Sequence, residues 1–278
     1  MTEDAFYTQS GSIYTPQPIA RGPWNQNSLH GRVVIALLAH EIEQKHMSPE
    51  WHPARLTVDM YRLPGFAPTE VKTWVVREGG RIKVVDSEFF SDGVSHARAT
   101  CQLLKRTENP EGKRWSPPTW DAPHPDTIEV QPGRNTGMGG MWMMKSVDGA
   151  GGMIGPPGER QTWMREIRPL VAGKPLTPFT RVAPASDFAS PLANRSDKGL
   201  GFINTDVTIY MHRLPVGEWI GLANTNHHAT DGIAIGECFL YDVEGPFGSA
   251  AVAALVCSMA VPYGICTCRR NSTFEGNT

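Results

Sequence analysis

Residues 31–46 read GRVVIALLAHEIEQKH, and the rest of the chain is organised by what that stretch demands. From Val33 to Ala39 every residue is apolar. A helix that is hydrophobic all round cannot lie on a surface, so its first turns must be buried on every side. Polar residues collect at Glu41, Glu43, Gln44 and Lys45, so the C-terminal end alone should reach water. Lys45 and His46 close the helix where its dipole favours positive charge.

The segments that follow supply a cover. Residues 55–63 (RLTVDMYRL) alternate Leu56, Val58 and Met60 with Thr57, Asp59 and Tyr61, the period of a half-buried strand. Residues 69–77, 81–90 and 94–106 are rich in branched and aromatic types, with turn signals at Gly79-Gly80 and Asp92-Gly93. One buried helix, one strand and a three-stranded meander make an α+β layer in which an antiparallel sheet wraps the helix. The second half repeats this outline. Residues 163–170 read as a first strand, residues 184–194 (PASDFASPLAN) as a short, poorly formed helix, and 202–212, 217–225, 232–241 and 247–258 as strands. Asp231-Gly232 and Glu244-Gly245 mark turns between them. Read locally, 202–212 and 217–225 would form a hairpin. An internal duplication changes the fold and is weighed first.

Between the halves, residues 108–162 are dense in Pro and Gly and read as a linker with one short strand at Met141–Ser146. Its five methionines (Met138, Met141, Met143, Met144, Met153) read as packing over a domain face before a ligand tunnel, because Met fills irregular gaps. The organisation expected is a first domain at 1–107, a linker at 108–162, a second domain at 163–260 and a polar tail at 261–278.

Bulk properties exclude several classes. The length of 278 residues suits two domains of about 100–150 residues. A net charge of −2 without a basic block lacks the footprint of a nucleic-acid binder. No apolar run approaches the roughly 18 residues of a membrane span, and MTEDAFYTQSGS has no signal-peptide pattern, so the cytoplasm is the expected compartment. Five cysteines, an odd count, argue against a disulfide framework. Cys101, Cys238 and Cys257 read as small buried hydrophobes, and the Cys266/Cys268 pair has no metal-ligand spacing beside it. There is no GxxxxGK[ST], no Rossmann-placed GxGxxG, no GxSxG elbow and no HExxH, so phosphate-loop, dinucleotide, serine-hydrolase and zinc-protease chemistry are set aside.

Five stretches, in order and spacing, resemble a known family: GPWNQNSLHGRVVIALLAHEIE, RLTVDMYRLPG, SDGVSHARATCQLLKR, WMREIRPLV, and the run TDVTIYMHRLPVGEWIGLANTNHHATDGIAIGECFLYDVEGPFG. The chain is similar to the type II acyl-CoA thioesterases, actinobacterial ones in particular. The resemblance implies a tandem (double) hotdog and an acyl-CoA substrate, with no cofactor, no metal and further assembly into a homo-oligomer. It also implies a different topology from the local hairpin. The strand after each helix should lie beside the last strand of the meander, which brings Asp206 near the strand that holds Val252.

That family activates water with an Asp, a Thr or Ser, and a Gln of the second hotdog. By resemblance Asp206 is the Asp and Thr225 the Thr, whereas the Gln position carries Val252, or Ala253 if shifted by one. His227 and His228 could offer a base near neutral pH, but the polar run NHHATDG reads as an exposed turn. His30 and Gly31 match the family's helix-start signature and could touch ligand or only cap the helix. Asp206 shares a strand face with Thr208 and Tyr210, and its pKa should rise if that face is buried. The readings carried forward are hydrolysis of acyl-CoA, and a non-catalytic acyl-CoA or lipid-binding protein that has lost the Gln. A hotdog hydratase ranks last, because no Asp stands near His30 in the sequence.

Overall fold

A computed structural model of the chain describes residues 5–118, 120–129, 136–137, 140–147 and 158–257. The expected tail, residues 261–278, lies outside them. Two short strands, β1 (Tyr7–Ser10) and β2 (Ile13–Pro16), precede the helix α1 (Gly31–His46). The first half continues with β3 (Trp51–Met60), β4 (Thr69–Glu78), β5 (Ile82–Ser91) and β6 (Val94–Lys105). The intervening segment gives β7 (Thr136–Gly137) and β8 (Trp142–Ser146), and the second half opens with β9 (Gln161–Glu166). Then come α2 (Pro178–Ser186), α3 (Ala189–Asn194), the two-residue pair β10 (Arg195–Ser196) and β11 (Gly199–Leu200), and β12 (Phe202–Asn204). The second sheet is completed by β13 (Asp206–Met211), β14 (Trp219–Thr230), β15 (Ile233–Asp242) and β16 (Gly245–Val256).

Each half is an antiparallel meander around its helix, as the tandem hotdog requires. The strand after the helix does not make a hairpin with its successor. β3 pairs with β6, and β13 with β16. β3 and β13 also pair with each other, antiparallel, with Thr57 opposite Thr208 and Asp59 opposite Asp206. The two meanders thus fuse into one sheet of order β1-β2-β4-β5-β6-β3-β13-β16-β15-β14-β9-β8-β7. At the seam the Thr208 hydroxyl donates to Thr57 Oγ1 at 3.1 Å. Between β13 and β16 the backbones come so close that a Cβ on Gly248 would sit 2.1 Å from the Tyr210 carbonyl oxygen, so only Gly fits.

α1 behaves as its composition demands: residues Val33–Ala39 are buried throughout. Burial runs further than the sequence suggests, to His40 and Glu41, because the Tyr14 hydroxyl of the unforeseen β1–β2 hairpin donates to Glu41 and Lys45 pairs with it at 2.6 Å. The second helix departs from expectation. It starts earlier, at Pro178, behind a Thr177/Thr180 capping box, and it breaks at Asp187–Phe188. Pro184 inside α2 removes the helical hydrogen bond to the residue-180 carbonyl.

The intervening segment is packed rather than free. Trp120 stacks on Trp163 with ring centroids 5.1 Å apart, directly over Gly221, where a Cβ would lie 2.5 Å from the Trp120 ring. Cys101 and Cys238 are buried free thiols as expected, whereas Cys257 is disulfide-bonded, against the reading of it as a plain hydrophobe. No described helix is long and apolar enough to cross a membrane.

Candidate active site

α1 and α2 lie side by side, and at the start of α1 the first half meets the second. His30 is the N-cap, and its Nδ1 accepts the Arg32 backbone N–H at 3.3 Å. The Gly31 N–H, one of the donors every helix start leaves without an intrahelical acceptor, meets no acceptor among the described residues. Next to it lies the carboxylate of Asp187, which occupies the break between α2 and α3. A Cβ on Gly31 would be 3.6 Å from Asp187 Oδ2 and 3.1 Å from Met60 Sδ. So the sequence offered no Asp beside His30, but the fold supplies one from the other half, with Asp187 Oδ2 at 3.5 Å from His30 Nδ1. That contact is not an ion pair at neutral pH. Nδ1 is already the acceptor of the Arg32 N–H, and burial, aided by the Arg32 charge, holds the His30 pKa down to about 3.

Arg32 itself is buried, pairs with Glu166 of β9 and lies over the Trp142 ring at 4.1 Å. The pair lines a cavity of about 10 Å³. A larger surface groove of about 360 Å³, lined by Ile13, Glu70, Lys72 and Phe90, lies on the first meander, away from these groups.

From Asp187 a chain of hydrogen bonds runs on into the second sheet. Asn204, the last residue of β12, donates from Nδ2 to Asp187 Oδ1 at 3.0 Å and to the Asp206 carbonyl oxygen at 3.3 Å. Between β12 and β13 the register against β16 slips by one at Thr205, since Asn204 pairs with Ala254 but Thr208 with Ala251. This bulge frees the Asp206 side chain to accept the Ala253 N–H on Oδ1 at 2.6 Å.

Asp206 therefore meets Ala253, while Val252 is buried in the core. Of the two positions read for the absent Gln, the one that faces the carboxylate is 253. Asp206 shares the face of Thr208 and Tyr210, and Val207, Ile209 and Met211 face the core. Even so its carboxyl pKa is raised, first by partial burial and then by Asp59 directly across the seam, against a lowering by the Ala253 N–H. Asp187 is raised too, by burial, with Asn204 and Arg32 opposing.

The other sequence candidates lie apart from this chain. Thr225 is exposed at a bulge of β14, three strands from β13 in the sheet order, or about 14 Å at the usual strand spacing. His227 and His228 belong to β14, not to a turn. His227 Nδ1 lies 3.0 Å from Asn194 Oδ1 of α3, and its pKa is lowered by burial and by His228. Asp187 and Asn204 were missed in the sequence. Pro184 three residues ahead of Asp187, and an amide two residues ahead of Asp206, were the available signals.

With this geometry in place, comparison with known proteins is informative. The sequence model of the acyl-CoA thioesterase N-terminal domain matches residues 20–104, and that of the acyl-CoA thioesterase C-terminal domain matches residues 108–256. Among curated proteins none matches. Among solved structures, a conserved protein of unknown function with hot dog fold from Alicyclobacillus acidocaldarius is similar at a TM-score of 0.71, with 16% identity over 93% of this chain and 98% of that one. A tesB protein of Mycobacterium avium subspecies paratuberculosis gives 0.67, with 13% identity over 90% and 95%. Acyl-CoA thioesterase II TesB2 from Mycobacterium marinum gives 0.63, with 16% identity over 90% and 95%. At such identities these three speak for the fold.

Proposed function

The chain belongs to the acyl-CoA thioesterase family, and from that premise we propose that it hydrolyses acyl-CoA thioesters to the free acid and CoA by direct attack of water, with Asp206 as the base. The observation that carries this reading is the pairing across the two halves. A helix start with an open N–H lies on one side, and on the other lies Asp187, joined through Asn204 to the backbone of Asp206 in the second sheet. A thioester whose carbonyl oxygen rests on the Gly31 N–H has its carbon turned toward β13. Oδ1 of Asp206 is occupied by the Ala253 N–H, which leaves Oδ2 for the water. As the water oxygen bonds to the carbonyl carbon, its proton passes to Asp206. The oxyanion is held at the positive end of α1. The C–S bond then breaks, and the CoA thiolate takes up the proton from Asp206. No cofactor and no covalent intermediate enter this scheme.

By resemblance Thr225 is the second group of the site, and its exposed place on β14 supports a minor share at most. Further assembly into a homo-oligomer also belongs to this reading. The exposed Trp74, Val76 and Ile82 on the first sheet support it, and light scattering measures it.

The test is release of free thiol from acyl-CoAs of several chain lengths by the wild-type chain and by Asp206→Asn. Turnover that collapses in the variant supports the scheme. The runner-up, an acyl-CoA-binding protein without turnover, draws on the apolar Ala253 opposite Asp206. Tight acyl-CoA binding without thiol release at any chain length would establish it instead.

A further inference from the structure

We propose that Arg21 and Arg62, on the two loops beside the start of α1, bind the phosphates of the CoA nucleotide and so hold the substrate with its thioester at the helix start. The inference rests on the reading above, in which acyl-CoA is the ligand of this site. It adds the part of the site that recognises CoA rather than the acyl group.

Residues 20–30 fold back on themselves just ahead of α1. The His30 N–H donates to the Ala20 carbonyl oxygen and the Gly22 N–H to that of Ser28, both at 2.9 Å. Arg21 stands between them, bridged antiparallel to Leu29. The approach is close: a Cβ on Gly22 would sit 2.8 Å from the Leu29 carbonyl oxygen. The backbone of Arg21 is thus fixed opposite the residue that precedes the α1 cap. The loop after β3, residues 61–68, lies against this turn. Its Pro64 carbonyl oxygen accepts the Leu29 N–H at 2.9 Å. The Arg21 guanidinium lies over the ring of Phe66 in the same loop, 5.7 Å from the centroid. That loop begins next to Met60, whose Sδ is beside Gly31, and it carries Arg62.

The charge of these two loops has one sign. No acidic residue occurs from Pro18 to His40 or from Tyr61 to Thr69. Arg21 and Arg62 are exposed, and neither has a carboxylate partner among the described residues. Asp187, the carboxylate beside Gly31, is buried. The positive end of α1 adds to the field. A guanidinium already seated on a ring offers phosphate a planar fork with little rotamer freedom left to lose. In acyl-CoA the phosphates stand at one end of the pantetheine arm and the thioester at the other. Phosphates held on the outer loops therefore leave the arm to carry the thioester inward to the Gly31 N–H.

The experiment uses the full chain and two substrates: an acyl-CoA, and the matching acyl-pantetheine, which keeps thioester and arm but lacks the phosphates. Steady-state thiol release is measured on both, and calorimetric titration with CoA runs alongside. Arg21→Ala should raise KM for the acyl-CoA about 10-fold and weaken CoA binding by the same factor, with kcat unchanged. Arg62→Ala should raise that KM by a few-fold. Arg21→Lys, which keeps the charge and loses the fork, should recover part of the loss. Neither alanine variant should alter turnover of the acyl-pantetheine. Arg77→Ala, which removes an exposed cation at the far end of β4, should change nothing. An acyl-CoA KM that Arg21→Ala leaves in place overturns the inference, and so does an equal rise in KM for the acyl-pantetheine. Either result leaves the hydrolase reading intact. CoA binding that depends on Arg21 in a protein that releases no thiol is the reverse case: the hydrolase reading fails and this site stands. A wild-type chain that neither binds CoA nor releases thiol overturns both.

Discussion

The two helix starts of this molecule are built on the same plan and end in opposite chemical states. α1 and α2 each receive a carboxylate from the partner helix's region: Asp187 lies against Gly31, and Glu43 accepts the Thr177 hydroxyl at 2.8 Å. At α2 the donors are used up. The Thr177/Thr180 capping box satisfies two N–H groups, and Pro178 at the first helical position has none to offer. At α1 the cap is His30, the first position is Gly31, and one N–H remains open. The strands differ in the same sense. Antiparallel pairing at the seam places Asp206 in the second sheet where Arg55 stands in the first, about the Thr57–Thr208 centre. One end of the helix pair is therefore closed by its own cap, and the other keeps one N–H without an acceptor among the described residues, beside Asp187.

The sharpest test of this asymmetry sets one carboxylate against another. Asp206→Asn removes the base and should cut kcat by about 100-fold or more. Glu43→Gln, at the closed end, should leave thiol release unchanged. Equal losses in the two variants would break the distinction between the ends. Next in size is a substitution that gives α1 the start of α2. Proline is at home at the first helical position, and His30, at φ −72 and ψ 137, already has the backbone that precedes proline. Gly31→Pro should thus fold, with Met60 Sδ giving way, and lose about 100-fold in kcat as the open N–H disappears. A folded Gly31→Pro enzyme with wild-type kcat would remove α1 from the chemistry.

The sequence disclosed the closed parts of the fold better than the open site. α1 was legible because seven successive apolar residues allow one environment only. The place of β13 beside β16 came from resemblance, since local reading of 202–225 suggested a hairpin that β13 does not make, and the β3–β13 pairing that fuses the halves was not foreseen. The second helix was misplaced because PFTRVAPAS is short and carries a proline at 184, so its start depends on the Thr177/Thr180 cap. Asp187 and Asn204 left only faint signals, the Pro184 ahead of Asp187 and the amide ahead of Asp206. Their contacts arise from a helix break and a one-residue bulge that join segments far apart in sequence. Thr225, named by resemblance, lies on β14, three strands from β13 in the sheet order.

A smaller effect separates the two sheets at their seam. Asp59 lies opposite Asp206 and adds to the rise that burial gives its carboxyl. The acid limb of kcat/KM, which follows ionisation of the base, should therefore lie above the ordinary carboxylate range. Asp59→Asn takes away a like charge and should move that limb to lower pH by a fraction of a unit, with the plateau unchanged. A limb that moves upward, or stays in place, would detach Asp206 from the titrating group.

The last contrast is between the caps themselves, and it concerns acid stability. Thr177 does not titrate, whereas His30 does, and its folded-state pKa of about 3 lies below the 6.5 of an imidazole in the unfolded chain. Between those values the unfolded chain binds a proton that the folded chain refuses. Stability tied to the neutral ring is thus complete above pH 6.5 and is lost as the pH falls toward 3, at up to about 1.4 kcal/mol per pH unit. The ring is 14% exposed, so solvent reduces the full slope. His30→Thr gives α1 the non-titrating cap of α2. It should remove up to one proton from the pH dependence of the unfolding free energy across that window, read as denaturant midpoints from pH 7 to pH 4. The same slope in both proteins would mean that His30 is protonated in the folded state after all. Its 3.5 Å contact with Asp187 would then be an ion pair, and the start of α1 would be as closed as that of α2.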